Sequence, residues 1–498
     1  MSRPLLLGVD SGQTTGKAAL FDTAGRTVAV AHAATLTRHP RPRWAERDLD
    51  ELWSQVAAAV RDVLAQAGPD AEVAAVGVCG HNDGAYLVDG DLRPVRPGIL
   101  ATDTRAHREA ADVADGPDAG RVLSLTGQVP FAASPGALLT WLARHEPESL
   151  ERTRWALFCK DWIRLRLTGE VATDRSEASA AFTDVHAQSW SDEALGLYGL
   201  ERLREALPPI LDGTDVAGHV TAEAAELTRL RAGTPVVAGA HDVDAAALGI
   251  GAAQVGAASA VLGTFSINQV LADEPVTDAR WQARSFVQKG RWLHMSTSPA
   301  GAVNLDWALR RFGPADAAGA PDPAAGVAEA VAEPPREDDP YFLPFLFGSP
   351  HGPDLAGSFV GLRGWHDRGA VLRAVLEGVV LNHRTHMEPL AERLRPAGAL
   401  RVCGGGARSP EWTQLLADAL GTTAEVTDTE EAGARGAALL AGVGTGVYAS
   451  LDDAVAASVR VVRRQEPRPE ETARLEARYR RYLALVEALG AVGSGGQS

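Results

Sequence analysis

The chain is poor in cysteine. Its 498 residues include 3 cysteines, Cys79, Cys159 and Cys403, and no two of them have a Cys-x-x-Cys spacing. Small disulfide-stabilised domains need many paired cysteines, and structural zinc sites need closely spaced ligand pairs. The sequence therefore predicts neither a disulfide framework nor a zinc site, and it indicates a reducing, cytoplasmic compartment.

Positive charge is also scarce. The chain has 48 Lys and Arg against 64 Asp and Glu, a formal net charge of -16. A nucleic-acid-binding protein neutralises phosphates with a basic surface, so nucleic acid is not an expected partner. An anionic small ligand would have to be held locally by backbone N–H groups and a well-placed cation, which directs attention to Gly- and Thr-rich turns.

Long apolar runs are missing from the sequence. The first strand-like run, from Pro4 to Asp10, is too short for the apolar region of a signal peptide. No other run approaches the length of about 20 apolar residues that a membrane-spanning helix needs. We therefore expect no membrane partner.

Hydrophobic periodicity organises the first half of the chain. Residues 4–34 have the pattern of a strand meander, residues 49–64 keep helical spacing behind Asp48 as a candidate N-cap, and residues 73–79 return to a strand pattern. The second half restates parts of this plan, which indicates a weak internal duplication.

The length of the chain suits more than one domain. At about 150 residues per domain, 498 residues suggest about three domains, and two large domains fit equally well. We place the junction near residue 248, so that residues 1–247 form an N-terminal domain and residues 248–498 a C-terminal domain. An amphipathic helix is predicted at about 467–489.

The first turn of the chain, residues 10–17, carries hydroxyls and one lysine. Backbone N–H groups of such a turn can surround phosphate oxygens, with help from Thr14, Thr15 and Lys17. A P-loop has four residues between its glycines and a Ser or Thr after the lysine, whereas this turn has three and Ala18. The turn is therefore either a plain hairpin turn or a hairpin phosphate clamp.

Two turns of the second half have a similar composition. Gly263 and Thr264 follow the strand-like residues 258–262, and Gly405, Gly406 and Ala407 lead into a helix that Ser409 would cap. Consecutive glycines permit the close approach of a flat ligand to the backbone. Each turn alone could equally be structural, but the first turn of the chain and the Gly263-Thr264 turn, as two facing clamps, would hold a triphosphate from both sides.

A carboxylate ends the buried run before the predicted domain junction. Asp242 could accept a proton from a hydroxyl as that oxygen attacks a phosphate, or it could simply cap the helix that follows. Asp244 is a competing candidate for the same role.

Polar residues of both charge signs follow other strand-like runs. His81, Asn82 and Asp83 come directly after residues 73–79, and Asp103 and Arg105 lie a little further on. Such groups suit hydrogen bonding to several hydroxyls, although polar residues are also common in solvated turns.

In this order, the motifs resemble those of the FGGY family of carbohydrate kinases over nearly the whole chain. The landmarks are the opening Asp-x-Gly turn, Trp44–Asp48, Gly-x-x-x-Gly84, Asp103-Thr-Arg105, Gly-Ala-His-Asp242, Leu-Gly-Thr264 and Gly-Gly-Gly-Ala407 with Ala417-Asp418. Within the family the chain is most similar to the branch of L-xylulose kinases and related pentulose and polyol kinases. Phe342-Leu-Pro-Phe-Leu346 and Glu377-Gly-Val-Val380 support that branch.

The resemblance implies an α/β fold of two ribonuclease-H-like, actin-like ATPase domains with an interdomain cleft. It implies that Mg²⁺ and ATP are cofactors, with Asp10 near the metal through water and Asp242 as the general base. The ATP-binding residues that it implies are Thr14, Thr15, Lys17, Gly263, Thr264, Gly405, Gly406, Ala407 and Ser409. The substrate-binding residues that it implies are His81, Asn82, Asp83, Asp103, Arg105 and Asp242.

Some positions depart from the family pattern. Gln13 replaces a frequent Thr, Ala101 replaces a frequent Trp, and His241 replaces a frequent Gly before the base. His81-Asn82-Asp83 replaces the Gln-Met-His of D-xylulose kinases, so D-xylulose is not the preferred substrate. We expect a small ketose or polyol acceptor, L-xylulose first, with xylitol, erythritol and ribulose as alternatives.

Two other classes of protein remain as alternatives. An actin- or Hsp70-like ATPase would share the fold, but no appended peptide-binding region is evident. A sugar sensor without catalysis is disfavoured by Asp10, Asp242 and Thr264. The sequence leaves the oligomeric state open, with a homodimer as one candidate assembly.

Overall fold

The computed structural model describes residues 4–13, 15–314, 320–352 and 355–494. Thr14, one of the predicted phosphate contacts, lies outside these described residues. The chain forms two compact units, the first made of Met1–Val255, Leu271–His294 and Glu431–Val459, and the second of Gly256–Val270, Met295–Glu430 and Arg460–Ser498. The units are thus interleaved along the sequence, and a boundary at residue 248 stays a prediction.

The strands are β1 (Leu5–Ser11), β2 (Thr15–Phe21), β3 (Thr27–Ala34), β4 (Glu46–Arg47), β5 (Val73–Gly80), β6 (Tyr86–Val88), β7 (Gly98–Ile99), β8 (Trp155–Leu157), β9 (Thr173–Asp174), β10 (Thr183–Asp184), β11 (Ser189–Trp190), β12 (Ile210–Leu211), β13 (Val216–His219), β14 (Pro235–Val237), β15 (Ala240–His241), β16 (Ala258–Leu262), β17 (Ser266–Ala272), β18 (Gln282–Ser285), β19 (Trp292–Ser298), β20 (Tyr341–Leu343), β21 (Ser358–Val360), β22 (Leu400–Cys403), β23 (Ala424–Thr427) and β24 (Val461–Gln465).

The helices are α1 (Leu49–Ala67), α2 (His107–Ala114), α3 (Ala119–Thr126), α4 (Pro135–His145), α5 (Pro147–Arg152), α6 (Cys159–Thr168), α7 (Arg175–Ala178), α8 (Asp192–Leu197), α9 (Ala222–Thr228), α10 (Asp242–Gly249), α11 (Val303–Phe312), α12 (Pro323–Ala332), α13 (Arg368–Leu394), α14 (Pro410–Leu420), α15 (Ala432–Gly444), α16 (Leu451–Ser458) and α17 (Pro469–Ser494). Among the described residues, no helix combines the length and the apolar character that crossing a membrane requires.

The first unit is built on a mixed sheet in the order β13-β14-β5-β1-β2-β3. The predicted meander is present, because β1 pairs antiparallel with β2, and β2 with β3. Strand β5 then lies parallel to β1 and to β15. The carboxyl ends of β1, β5 and β15 therefore lie at one edge of this sheet.

Helix α1 begins as the sequence predicts. The Asp48 side chain accepts a hydrogen bond of 3.0 Å from the Glu51 backbone N–H, which satisfies one of the free donors of the first turn. Its apolar face, with Leu52, Trp53 and Val56, is buried in the core of the first unit. Periodicity and capping together thus fix this helix on the sheet.

Small residues allow α15 to lie very close to the first sheet. A Cβ atom on Gly8 of β1 would lie 1.8 Å from the Ala434 carbonyl oxygen, and one on Gly77 of β5 would lie 1.9 Å from the Ala437 carbonyl oxygen. Only glycine fits at such separations. The close packing brings the amino end of α15 to the end of β1.

The second unit contains β17, β16, β22, β23 and β24 in that order. Strand β16 pairs antiparallel with β17 and parallel with β22, which in turn is parallel to β23. The Gly263-Thr264 turn follows β16, and the glycine-rich turn follows β22. Since neighbouring parallel strands end at the same edge, the two turns are placed side by side.

Candidate active site

Three parallel strands bring the predicted catalytic residues of the first unit together. β1 carries Asp10 next to its last residue, β5 ends directly before His81, and β15 ends directly before Asp242. In register, Asp10 lies opposite Cys79 of β5. We call Asp10, His81–Asp83 and Asp242 the charged edge.

Asp10 lies in a crowded electrostatic environment at this edge. Burial, the negative charge of Asp242 and that of Glu431 raise its pKa, Lys17 lowers it, and the net effect is a pKa of about 7. A Cβ atom on Gly433, at the start of α15, would lie 2.6 Å from Asp10 Oδ2. Neighbouring carboxylates disfavour each other's ionised form. Oxygen donors are what Mg²⁺ prefers, but the described residues bring no three His, Cys, Asp or Glu side chains together as metal ligands, so Mg²⁺ near Asp10 stays a prediction.

The first turn is closed by its own backbone and held by an arginine. The Gly12 N–H donates to the Thr15 carbonyl oxygen over 3.1 Å. The Arg47 guanidinium donates to the Gln13 carbonyl oxygen. Arg47 belongs to the Trp-Ala-Glu-Arg-Asp motif, so that motif supports the turn.

Lys17 has a partner within the first unit. Its Nζ lies 2.8 Å from Glu431 Oε2. Lys17 is 27% exposed and Glu431 14% exposed, so the pair is accessible from one side. Sequence reasoning predicted the lysine and missed the glutamate, because the two lie far apart in the chain.

His81 and Asn82 are buried and hydrogen-bonded. His81 Nε2 lies 3.0 Å from the Tyr86 hydroxyl. Asn82 Nδ2 donates over 3.3 Å to the Ser176 carbonyl oxygen. These contacts fix both residues at the end of β5.

Asp83 forms an ion pair that the sequence did not predict. Its Oδ1 accepts a hydrogen bond of 3.0 Å from Arg284 Nη2, and the two residues are 201 positions apart. Arg284 Nε also donates to Gln128 Oε1 over 3.1 Å. The Asp83 side chain keeps 13% exposure, so it combines a fixed position with access to a ligand.

Asp103 and Arg105 form a buried pair. Arg105 Nη2 lies 2.8 Å from Asp103 Oδ2 and 2.7 Å from Glu46 Oε1. The guanidinium also lies over the Trp44 ring, 3.7 Å from its centroid. Within the described residues Arg105 Nη1 is buried without a hydrogen-bond partner. The pair joins the Trp44–Asp48 segment to the loop after β7, and direct sugar contact by these residues stays a prediction.

Asp242 is the first residue of α10, and His241 takes the N-cap position. The Asp242 side chain is 30% exposed, whereas that of Asp244 is 2% exposed. A general base must reach its substrate. The geometry therefore favours Asp242 over Asp244 for this role.

A buried group of charges lies behind the charged edge. Lys160 Nζ lies 2.6 Å from Asp161 Oδ1 and 2.9 Å from Asp174 Oδ1, with all three side chains fully buried. Burial lowers the pKa of Lys160, but Asp161 and Asp174 outweigh burial and raise it well above its usual value. This group was not predicted from the sequence, although a Lys-Asp pair in the first turn of a helix after a short strand is a signal that could have indicated it.

In the second unit the two predicted nucleotide-binding turns lie against each other, with backbone next to backbone. A Cβ atom on Gly404, which has φ 92°, would lie 2.7 Å from the Leu262 carbonyl oxygen. Thr264 and Gly405 are exposed, and Gly406 and Ala407 are buried beside them. We call Gly263–Thr264 and Gly404–Ala407 the glycine edge.

Two further features complete the glycine edge. The Ser409 hydroxyl accepts a hydrogen bond of 3.1 Å from the Trp412 N–H and so caps α14, as predicted. The Ala302 N–H donates over 2.7 Å to the Gly263 carbonyl oxygen. A Cβ atom on Gly301 would lie 2.5 Å from the same oxygen. The Gly301-Ala302 segment was not predicted from the sequence.

Comparison with known proteins decides the family. The N-terminal domain of the FGGY family of carbohydrate kinases matches residues 5–249, and the C-terminal domain of that family matches residues 258–445. The chain belongs to the FGGY family. The predicted α/β, actin-like ATPase fold of two domains is therefore confirmed.

Relatives of this FGGY kinase match over almost the full length. It is 33% identical over 489 residues to the L-xylulose/3-keto-L-gulonate kinase of Escherichia coli, covering 97% of each chain. It is 30% identical over 475 residues to the erythritol kinase of Brucella abortus, covering 91% of this chain and 89% of the relative. The crystal structure of the xylulose kinase from Rhodospirillum rubrum superposes with a TM-score of 0.89 at 29% identity, covering 98% of this chain and 100% of that one.

The family membership settles the class of activity. The chain is a carbohydrate kinase, and sugar kinases of the FGGY family use ATP as phosphoryl donor. The prediction of a sugar or polyol kinase is confirmed. The alternative, an ATPase that drives assembly or chaperone work, is not supported.

Proposed function

We propose that this FGGY kinase transfers the γ-phosphoryl group of ATP to a hydroxyl of a small ketose, with a pentulose such as L-xylulose preferred. The name of the E. coli relative supports this acceptor, at 33% identity over 489 residues. A polyol such as xylitol or erythritol is the second candidate, which the erythritol kinase of B. abortus supports.

The observation that carries the proposal is the position of Asp242. Its carboxylate is partly exposed at the charged edge, beside Asp10 and the residues that follow β5. We assign it the role of orienting the acceptor hydroxyl and removing its proton as the oxygen attacks the γ-phosphorus. His81, Asn82, Asp83, Asp103 and Arg105 are assigned to the sugar site.

The phosphates are assigned to backbone donors and two cations. In the first turn, Thr14, Thr15 and Lys17 would donate hydrogen bonds to phosphate oxygens. The glycine edge, together with Ser409, would bind the nucleotide close to the backbone. Asp10, through water, would hold Mg²⁺, which supplies neutralisation of the charge that spreads over the phosphates. Lys17, whose Nζ lies 2.8 Å from Glu431 Oε2, would then share its charge between Glu431 and a phosphate.

We propose that the two predicted domains divide the two substrates between them. Residues 1–247 would bind mainly the sugar, and residues 248–498 mainly ATP. A cytoplasmic location is part of the proposal, and the free, buried state of Cys79, Cys159 and Cys403 supports it.

The test is ADP release from Mg-ATP across ketopentoses, tetritols, pentitols and glycerol. We expect strong turnover with one or a few acceptors and none with Asp242→Ala. ADP release that needs no acceptor and survives Asp242→Ala would overturn the assignment of Asp242. Equal, weak turnover with every acceptor would overturn the preference for a pentulose.

A further inference from the structure

The side chain before Asp242 bridges two carboxylates. His241 Nε2 lies 3.1 Å from Asp242 Oδ1, and His241 Nδ1 lies 3.0 Å from Asp244 Oδ2. The ring is 7% exposed, so these hydrogen bonds are little weakened by water. The three residues form a chain of hydrogen bonds in which Asp244 is the most buried group and Asp242 the most exposed.

The backbone of His241 is also held in place. Its N–H donates to the Ser176 hydroxyl over 2.9 Å. That hydroxyl donates to Asp174 Oδ2 over 2.5 Å, and Asp174 Oδ1 lies 2.9 Å from Lys160 Nζ. The buried charges behind the charged edge thus fix the position from which the imidazole reaches Asp242.

We propose that His241 is a positioning residue for phosphoryl transfer. By binding Oδ1 of Asp242, it fixes the carboxylate plane and leaves Oδ2 to receive the proton of the acceptor hydroxyl. Asp244 in turn binds Nδ1 and fixes the orientation of the ring. Nε2 then carries a proton and donates a hydrogen bond to Asp242. The inference rests on the proposed role of Asp242 as general base.

The two carboxylates bonded to the ring favour its charged form. Asp242 and Asp244 face it from α10, Asp10 and Glu177 act on Asp242 from β1 and α7, and Asp174 and Arg284 act on Asp244. Burial lowers the pKa of His241, but the bonded carboxylates outweigh burial and raise its pKa to about 9. At neutral pH the ring is therefore an imidazolium, with N–H groups on both nitrogens.

A residue that acts only on structure would not set the pH dependence of the reaction. The wild-type ring loses its positive charge as pH rises through about 9, so the kcat/KM of the wild-type enzyme should fall there. The kcat/KM profile of a His241→Gln enzyme should lack this alkaline limb. The kcat should fall by about 10-fold to 100-fold, the usual effect of removing a group that orients a functional side chain, while the KM for acceptor changes much less.

The experiment compares His241→Gln, Asp244→Asn and Asp242→Ala in the full-length enzyme with the acceptor of highest turnover. His186→Gln, at an exposed turn of the first unit, is the matched control and should keep the wild-type profile. Circular dichroism checks folding. If His241→Gln does not fold, ¹⁵N NMR of the wild-type imidazole decides, since the proposal requires both ring nitrogens to be protonated at pH 7.5.

The outcomes separate the inference from the proposed function. If Asp242→Ala retains turnover, the assignment of the base fails. If Asp242→Ala is inactive but His241→Gln keeps the wild-type kcat and profile, His241 has no positioning role. A neutral ring at pH 7.5 in the NMR experiment would also overturn the inference.

Discussion

The charged edge of the first unit and the glycine edge of the second unit have the same topological origin but different chemistry. Both lie where neighbouring parallel strands end. At the charged edge side chains form the site: Asp83 pairs with Arg284, and Asp242 pairs with His241. At the glycine edge the backbone forms the site, and there is no space for a Cβ atom at Gly301 or Gly404.

The difference matches what each edge is proposed to bind. A sugar hydroxyl must be told apart from others and must lose a proton, which requires placed side chains. Phosphates present uniform oxygen acceptors that backbone N–H groups satisfy without side-chain chemistry. The charged edge should therefore be sensitive to isosteric changes of charge, and the glycine edge to added volume.

The largest effect is expected for Asp242→Asn at the charged edge. The substitution keeps the shape of the side chain and removes its ability to take a proton, so kcat should fall by about 10³-fold, within the range for general bases. The KM for ATP should change little, because the glycine edge is untouched. Steady-state kinetics with both substrates varied measures this. Near-normal turnover would show that charge at this edge is not the decisive property.

Lys160→Met should have the largest effect on stability. It removes the cation that both buried carboxylates share and leaves Arg164, 3.8 Å from Asp161, as the remaining cation. We expect a cost of about 3–5 kcal/mol of the free energy of unfolding. Urea denaturation followed by tryptophan fluorescence measures it. The control is Arg121→Met, which removes an ion pair to Glu193 with both partners about half exposed. A loss as small as that of the control would mean that the buried charges do not hold the charged edge in place.

The His241 imidazolium predicts a pH dependence of stability. Its pKa is raised to about 9, above the unfolded value of about 6.5. Its contribution is therefore fully present below pH 6.5 and lost as pH rises through 9, a loss of up to about 3 kcal/mol. Thermal melting of wild type and His241→Gln between pH 6 and 9.5 measures the difference. Parallel curves for the two proteins would contradict the prediction.

The sequence predicted the elements that local patterns determine. The strand meander, the cap at Asp48 and the cap at Ser409 depend on residues within one or two turns of each other, and the structure confirms them. The apolar run before Asp242 placed this residue at the end of a strand for the same reason. Hydrophobic periodicity and capping are local, so they can be read from a sequence.

Partners distant in sequence were not predictable in the same way. Arg284 reaches Asp83 across 201 positions, and Glu431 reaches Lys17 from the other end of the chain. Helix α15 packs against β1 although it lies in the half of the sequence assigned to the other domain. Such contacts depend on tertiary packing, for which one sequence contains no local signal.

The smallest effect, and the one that tests the glycine edge, is expected for Gly301→Ala. The new Cβ atom would lie 2.5 Å from the carbonyl oxygens of Gly263 and Thr264, so the turn has to shift. We expect the KM for ATP to rise about 10-fold, less than the roughly 10²-fold that a 1 Å displacement of a catalytic group can cost, with the KM for acceptor nearly unchanged. Gly364→Ala is the matched control, because its Cβ atom would meet no atom within 4 Å. A rise in the KM for acceptor instead of ATP would assign this backbone turn to the sugar, and the contrast between the two edges would then fail.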